Sequence, residues 1–267
     1  MTVSNDSFDS DYAKLQEDIT NYNNAVAAAN EDRNEYFNAV AGISTSCGSL
    51  MELGTAFICM FSVLADQGSA MFMANMNQTA YAMDIAADLT ACGNDIQALT
   101  NDTSTDTEAL NYAASDMDKM IDILTGTGDE TSSLESAIGE TACSTLATQY
   151  ETMREDIYIK GSTSQYNGGS SAHFSNDLSD DKLHSYGEMY DDMALTDGDA
   201  ENSATTAADT ITQSFNMISS TTSNVNSSLQ AVLNNQSSQL QSLDSFATYG
   251  LQDINKQSAA YVQNQRV

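Results

Sequence analysis

A chain of 267 residues with 38 acidic and only eight basic side chains carries a formal net charge of −30, which makes nucleic acid and anionic membrane surfaces poor partners. It is long enough for one large domain or two ordinary ones, so a sizeable core is possible. Proline and tryptophan are both absent, and no helix need be broken on proline's account.

The charge is unevenly placed. Residues 1–43 carry −6, residues 44–100 carry −5, residues 101–210 carry −19, and residues 211–267 are neutral. The middle is therefore the solvated, self-repelling part. An electrically quiet C-terminal segment can pack in many copies without accumulating like charge, whereas the acidic middle would have to face outward.

At the start, Met1-Thr2-Val3-Ser4-Asn5-Asp6-Ser7 lacks the basic and apolar regions of a cleaved secretion signal. Ser10 or Asp11 can cap a first helix over 12–41, with the stripe Tyr12, Leu15, Ile19, Tyr22, Val26, Ala29, Tyr36, Val40. The Ser- and Thr-rich stretch Gly42–Gly48 reads as a break. A second long helix is predicted from about Ser49 to Leu99, with the seam Leu53, Phe57, Met60, Leu64, Met71, Asn75, Gln78, Ala82, Ile85, Leu89, Cys92, Ile96, Leu99. Ile58, Phe61, Val63, Phe72, Met73 and Met76 lie off this seam and make its first half apolar nearly all round, the pattern of a helix buried on several sides. This methionine and aromatic cluster is either ordinary helical core or a docking surface, since methionine packs adaptably against many shapes. The longest apolar run, Leu53–Ala65, contains Gly54, Thr55 and Ser62. It falls short of the ~18–20 residues that a membrane span needs, so the chain reads as soluble or at most membrane-touching.

Asn101–Thr107 is a polar turn. Helical pieces at about 108–124 and 131–157 follow, separated by Gly126-Thr127-Gly128-Asp129. Ile157-Tyr158-Ile159 suggests a short strand, Gly161–Ser171 a flexible loop, 178–195 a weak helix and Asp197-Gly198-Asp199 a turn. From Ile211 a heptad seam begins: Ile211, Phe215, Ile218, Thr222, Val225, Leu229, Val232. It resumes after Gln236 as Leu240, Leu243, Ala247, Gly250, Ile254, Ser258, Tyr261, with consecutive four-residue steps around Gln236 and Ile254. Such stutters locally loosen a left-handed supercoil. A helix of about fifty residues is roughly 75 Å long at ~1.5 Å per residue, and it needs a second long helix from this chain or a neighbour to cover its stripe. That points to assembly rather than catalysis.

Signatures of chemistry are sparse. His173 and His184 lie near Asp177, Asp180 and Asp181, but their spacing matches no helical pair of metal ligands. The stretch from Asp197 has its glycine misplaced for a calcium loop, and its twelfth position is Ala208. No P-loop, G-x-S-x-G or H-E-x-x-H occurs, so neither a catalytic site nor a cofactor or metal site is expected. Cys47, Cys59, Cys92 and Cys143 lack C-x-x-C spacing. They read as buried, reduced small hydrophobes, with one incidental disulfide as the alternative.

The second helix resembles the EspA/SseB-like filament proteins of bacterial type III secretion systems. It opens with Leu53-Gly54, runs through aromatic and methionine residues to Phe61, Gln67 and Ser69, and continues as Ala74-Asn75-Met76-Asn77-Gln78. Tyr150 and Arg154-Glu155-Asp156-Ile157-Tyr158-Ile159-Lys160-Gly161 are similar to the segment opening that family's central region. Val225-Asn226-Ser227-Ser228 and Gln239-Leu240-Gln241-Ser242-Leu243 are similar in character and position to its C-terminal helix. The resemblance spans roughly 50–265; the helix at 12–41, the longer and more acidic centre and the several cysteines depart from it.

The resemblance implies a secreted, extracellular protein exported without a cleaved signal. It also implies a homo-oligomeric helical filament extending a needle, a chaperone that masks the terminal helices, and contact with needle and translocator proteins. The expected fold is mainly α, with long N- and C-terminal helices forming a coiled coil around an irregular acidic central lobe. The expected segments are a signal region and N-terminal helix (1–48), an apolar helix (49–100), a surface-exposed centre (101–210) and a heptad helix (211–267). Self-association is expected through Leu53, Phe57, Met60, Phe61, Leu64, Met71, Phe72, Ile85, Leu89, Val225, Leu229, Val232, Leu240, Leu243 and Ile254. The alternative is a needle-tip or pore-forming translocator that applies 53–76 to a host membrane.

Overall fold

The structure, a computed structural model, describes residues 5–44, 50–101, 107–126, 128–168 and 197–264. It is mainly α, and among the described residues no strand occurs. The helices are α1 (Asp6–Ser44), α2 (Leu50–Val63), α3 (Ser69–Asn101), α4 (Thr107–Thr125), α5 (Asp129–Ile138), α6 (Glu140–Gly168) and α7 (Asp197–Asn264). A five-residue π-helical segment, Leu64–Gly68, joins α2 to α3 without a loop. The long second helix of the sequence reading is therefore continuous but carries one widened turn.

The chain forms two compact units. Unit 1 comprises Met1–Ile19 and Asp84–Ser227; unit 2 comprises Thr20–Met83 and Ser228–Val267. Unit 1 holds the well-filled core. Phe8, Leu15 and Ile19 of α1, the α3 seam Ile85, Leu89, Cys92, Ile96, and Ile211, Phe215, Ile218 of α7 are all buried. From α4 come Met117, Met120, Ile123 and Leu124, from α5 Leu134, and from α6 Leu146, Tyr150 and Met153. The acidic centre thus supplies regular core-forming helices as far as it is described; residues 169–196, which include both histidines and the weak helix expected at 178–195, lie outside the described residues.

The joint between α5 and α6 rests on one backbone. Gly139 has φ of 96°, a left-handed conformation that disfavours side chains. Its N–H donates to the Glu135 carbonyl at 3.0 Å, closing α5, while its own carbonyl accepts from Ala142 and Cys143 at 3.0 and 3.1 Å, opening α6. The reading of one helix over 131–157 missed this break.

Several boundaries differ from expectation. The first helix starts at Asp6, not Tyr12, with Asp6 and Asp9 in its first turn where the helix dipole favours negative charge. Residues 157–159 are helical within α6, as are 161–168: three β-prone residues are too few to interrupt a helix already running. The turn expected at 197–199 and the calcium-loop comparison at 197–208 both fall inside α7, which begins fourteen residues before the first seam residue, Ile211. A single glycine there, Gly198, does not stop a segment rich in alanine.

Unit 2 is assembled from the C-terminal part of α1, from α2, the π segment and the start of α3, and from the C-terminal part of α7. Among the described residues its tightly buried positions are mostly small: Ala29, Gly68, Ala74, Thr79, Ala82 and Ala247, with Tyr22 as the one large exception. Gly68 sits so close to the neighbouring helices that a Cβ would lie 3.0 Å from Leu243 Cδ2 and 3.7 Å from Tyr36 Cε2. The hydrogen bonds across this unit join side chains: Gln78 Nε2 donates to Tyr22 Oη at 3.2 Å, and Ser69 Oγ donates to Asp244 Oδ1 at 3.0 Å. The Thr79 hydroxyl lies 3.1 Å from Gln236 Oε1 and 3.0 Å from the Asn75 carbonyl, donating to one of the two.

Candidate functional site

Small buried residues let helix backbones approach closely, but they leave the large side chains at the margins. Phe61 meets Phe246 at a ring separation of 5.4 Å and a tilt of 54°. Around this pair Phe57 and Ile58, one turn earlier on α2, and Tyr249, one turn later on α7, stand exposed, as do Met73 and Val232 of the same unit. Exposed aromatic and methionine side chains gathered in this way mark interaction surfaces more often than plain solvent-facing helix.

The residues expected to mediate self-association fall into three groups. Met60, Phe61, Leu64, Met71, Phe72, Leu229, Leu240, Leu243 and Ile254 are half-buried within unit 2, and Val225 is half-buried within unit 1. Phe57 and Val232 are exposed. Ile85 and Leu89 are fully buried in unit 1, committed to the chain's own core. The side chain of Leu53 lies outside the described residues.

The register of the C-terminal seam also shifts. Val232 is 43 % exposed, while the adjacent Leu233 is half-buried and the inward positions continue as Gln236, Leu240, Leu243, Ala247, Gly250, Ile254. The consecutive four-residue steps therefore occur at Val225–Leu229–Leu233 rather than at Gln236. Tyr249, Phe246 and Ile58 carry apolar surface that heptad reading alone did not assign.

Unit 1 contains a different kind of cluster, polar and partly sealed. Three carboxylates from α3 and α4 hold the beginning of α1. Lys14 Nζ pairs with Asp88 Oδ1, Ser7 Oγ donates to Asp95 Oδ1 at 3.0 Å, and Asn5 Nδ2 donates to Asp116 Oδ1 at 3.0 Å. Lys119 reaches Asp9 at 2.9 Å and Asp116 at 3.2 Å, and its ammonium lies 5.1 Å from the centre of the buried Phe8 ring. Burial pushes the Asp88 carboxyl up to about 6, opposed by Lys14 and reinforced by Asp18 on α1. Burial likewise raises Asp95 and Asp116.

Two further features bear on chemistry. A cleft of about 110 Å³ is lined by Thr90, Gly93, Asn94, Gln97, Phe215, Asn216, Ile218 and Ser219, all uncharged. Among the described residues no group of three or more His, Cys, Asp or Glu side chains is placed to hold a metal ion. Cys92 and Cys143 are buried thiols whose ionisation is suppressed by burial, Cys143 being pushed up to about 12. Cys59 is exposed, contrary to the expectation of burial, because it lies on the incompletely covered α2; Cys47 lies outside the described residues.

No family model, curated protein or solved structure matches this chain.

Proposed function

We propose that the chain is a structural subunit that associates with copies of itself through the apolar surface of unit 2. The observation that carries this reading is the exposure of Phe57, Ile58 and Tyr249 beside the Phe61–Phe246 contact, with Phe246 itself and Met73 of the same unit also exposed, in a unit whose tight burial is mostly of small residues. Such a surface is completed by a second apolar surface rather than by water. Residues 211–267 carry no net charge, so stacked copies would bring little like charge together at α7, while the −19 of residues 101–210 would project outward.

The resemblance to EspA/SseB-like proteins extends this reading to an extracellular helical filament that lengthens a type III secretion needle and serves as a conduit for protein translocation. On that reading the terminal helices are coiled-coil elements, masked by a dedicated chaperone before export, and the filament contacts needle and translocator proteins. The coiled-coil assembly and the outward acidic lobe belong to this proposal.

A second reading is favoured by one observation. The helical stretch Thr55–Thr100 contains an eighteen-residue window long and apolar enough to cross a membrane, of which only 6 % is buried. That window exceeds the run first read from the sequence, because interspersed polar residues do not cancel its apolar character. It suits a tip or translocator component that touches a host membrane. Flotation of the monomeric chain with neutral phosphatidylcholine vesicles separates the two: vesicle binding supports the second reading, while its absence together with filaments in the electron microscope supports the first.

A further inference from the structure

Four interactions fasten the first turns of α1 to unit 1, and three of them end on carboxylates that are only half satisfied. Asp88, 3 % exposed, is paired with Lys14 through Oδ1, but its Oδ2 is buried with no hydrogen-bond donor among the described residues. Asp95 and Asp116 repeat the arrangement: Oδ1 accepts from Ser7 and Asn5 respectively, and each Oδ2 is buried without a donor among the described residues. Asp116 is 0 % exposed. An ionised carboxylate has only acceptor sites, so a sealed and unpartnered oxygen destabilises the charged form; a protonated carboxyl gains a donor.

The partners across the interface are themselves acids. From α1, Asp18 and Lys14 face Asp88, with Asp84 on α3 also near Lys14. Asp11 and Ser7 of α1 face Asp95. Asn5, just before α1, Asp9 of α1 and Lys119 of α4 face Asp116. Cys92 lies between Asp88 and Asp95 with its thiol uncharged, and Tyr12 faces Glu130, Asp122 and Lys119. Asp11 and Asp18 are seven residues apart, as are Asp88 and Asp95, and the pairs run in opposite order along their helices. Two carboxyl–carboxyl contacts therefore recur at one heptad interval between α1 and α3, and a shared proton converts each from repulsion to a hydrogen bond.

We infer that the beginning of α1 is an acid-tightened latch: protonation at Asp88 and Asp95 fastens residues 5–19 onto the rest of unit 1, and ionisation of these two carboxyls against Asp18 and Asp11 loosens that segment. Lys14 and Lys119 oppose the loosening but supply two cations against seven nearby acids: Asp9, Asp11, Asp18, Asp84, Asp88, Asp95 and Asp116. The inference concerns unit 1 alone and is independent of how copies of the chain assemble.

The sign follows from linkage. A carboxyl whose folded value lies above its unfolded value weakens the folded state at high pH, and that cost is relieved as pH falls through the folded value. For Asp88, raised from 3.8 to about 6, the closed latch should gain about tenfold between pH 7.5 and 5.

The experiment is hydrogen exchange of the full chain, read as protection factors over residues 8–19 at pH 7.5 and 5. The latch predicts a rise of about tenfold on acidification in the native chain. In Asp88→Asn/Asp95→Asn, protection should already be higher at pH 7.5 and most of the pH response should be lost, with Asp116 alone left to titrate against the Asn5 segment. A Glu31→Gln/Glu35→Gln variant removes the same charge from exposed positions of unit 2 and should behave like the native chain. Protection that is flat or falls on acidification overturns the inference. So does a full response surviving in the Asn variant, or a Gln variant that mimics it, since general charge relief would then suffice. Should the double variant fail to fold, the two single Asn variants are read the same way, and each must lose part of the pH response.

Discussion

Phe61 lies against the backbone of Gly250, with no room between them for even a methyl group. The glycine is thus what allows α7 to come close enough for the Phe61–Phe246 contact. Gly250→Ala should destabilise unit 2 by about 1–3 kcal/mol from overlap, outweighing the ~1 kcal/mol that alanine gains over glycine in a helix. In a Phe61→Ala background the same change should become stabilising by about 1 kcal/mol. Urea unfolding of the four chains of this cycle measures the reversal, and an unchanged sign would refute the close approach.

The shifted seam makes neighbouring residues unequal. Leu233 is half-buried while Val232 is exposed, so Leu233→Ala should cost about 1–2 kcal/mol and Val232→Ala less than about 0.5 kcal/mol. Equal costs, or the reverse order in denaturant unfolding, would return the stutter to Gln236.

Tyr150 is buried in unit 1, and its hydroxyl finds no hydrogen-bond partner among the described residues. Burial and the neighbouring Cys92 raise its ionisation far above the ordinary range, so the group stays neutral. Tyr150→Phe removes a desolvated, unpaired hydroxyl and should stabilise unit 1 by about 1 kcal/mol. It should also make Gly93→Ala easier to accommodate, because the added Cβ would otherwise lie 3.2 Å from that hydroxyl. Thermal unfolding of both variants tests the pair; a loss of stability in Tyr150→Phe would mean that the hydroxyl is satisfied after all.

How much of this was legible in the sequence depends on the kind of signal each feature leaves. The α3 seam from Ile85 to Leu99 and the α7 seam from Ile211 to Thr222 are strict heptads of large or β-branched side chains, Cys92 apart, and all of their positions are buried. The early starts of α1 and α7 were missed because helix outruns stripe: Asp6–Asp11 and Asp197–Thr210 are helical without a run of apolar residues. Periodicity also could not separate Val232 from Leu233, since both are apolar and adjacent; only their neighbours decide which turns inward. The carboxylates between α1 and α3 left a partial signal. Asp11 with Asp18 and Asp88 with Asp95 share a seven-residue spacing beside apolar seams, a pattern that a surface charge run has no reason to keep. That these acids face one another required the fold.

For this methionine and aromatic cluster the sequence left two readings open, ordinary helical core or docking surface, and the burial pattern bears on the first. Met60, Phe61, Met71 and Phe72 are half-buried in unit 2, whereas Phe57, Ile58 and Met73 are not covered by the chain itself.

The central claim is that this uncovered surface joins copies of the chain. Its most direct test is negative-stain electron microscopy of the full chain and of Phe57→Ser/Tyr249→Ser, across salt concentrations and down to pH 5. Both residues are exposed, so the substitutions should leave helix content unchanged by circular dichroism. The account predicts regular filaments from the native chain and monomers from the variant under the same conditions. A native chain that stays monomeric throughout, or a variant that forms the same filaments, would contradict it.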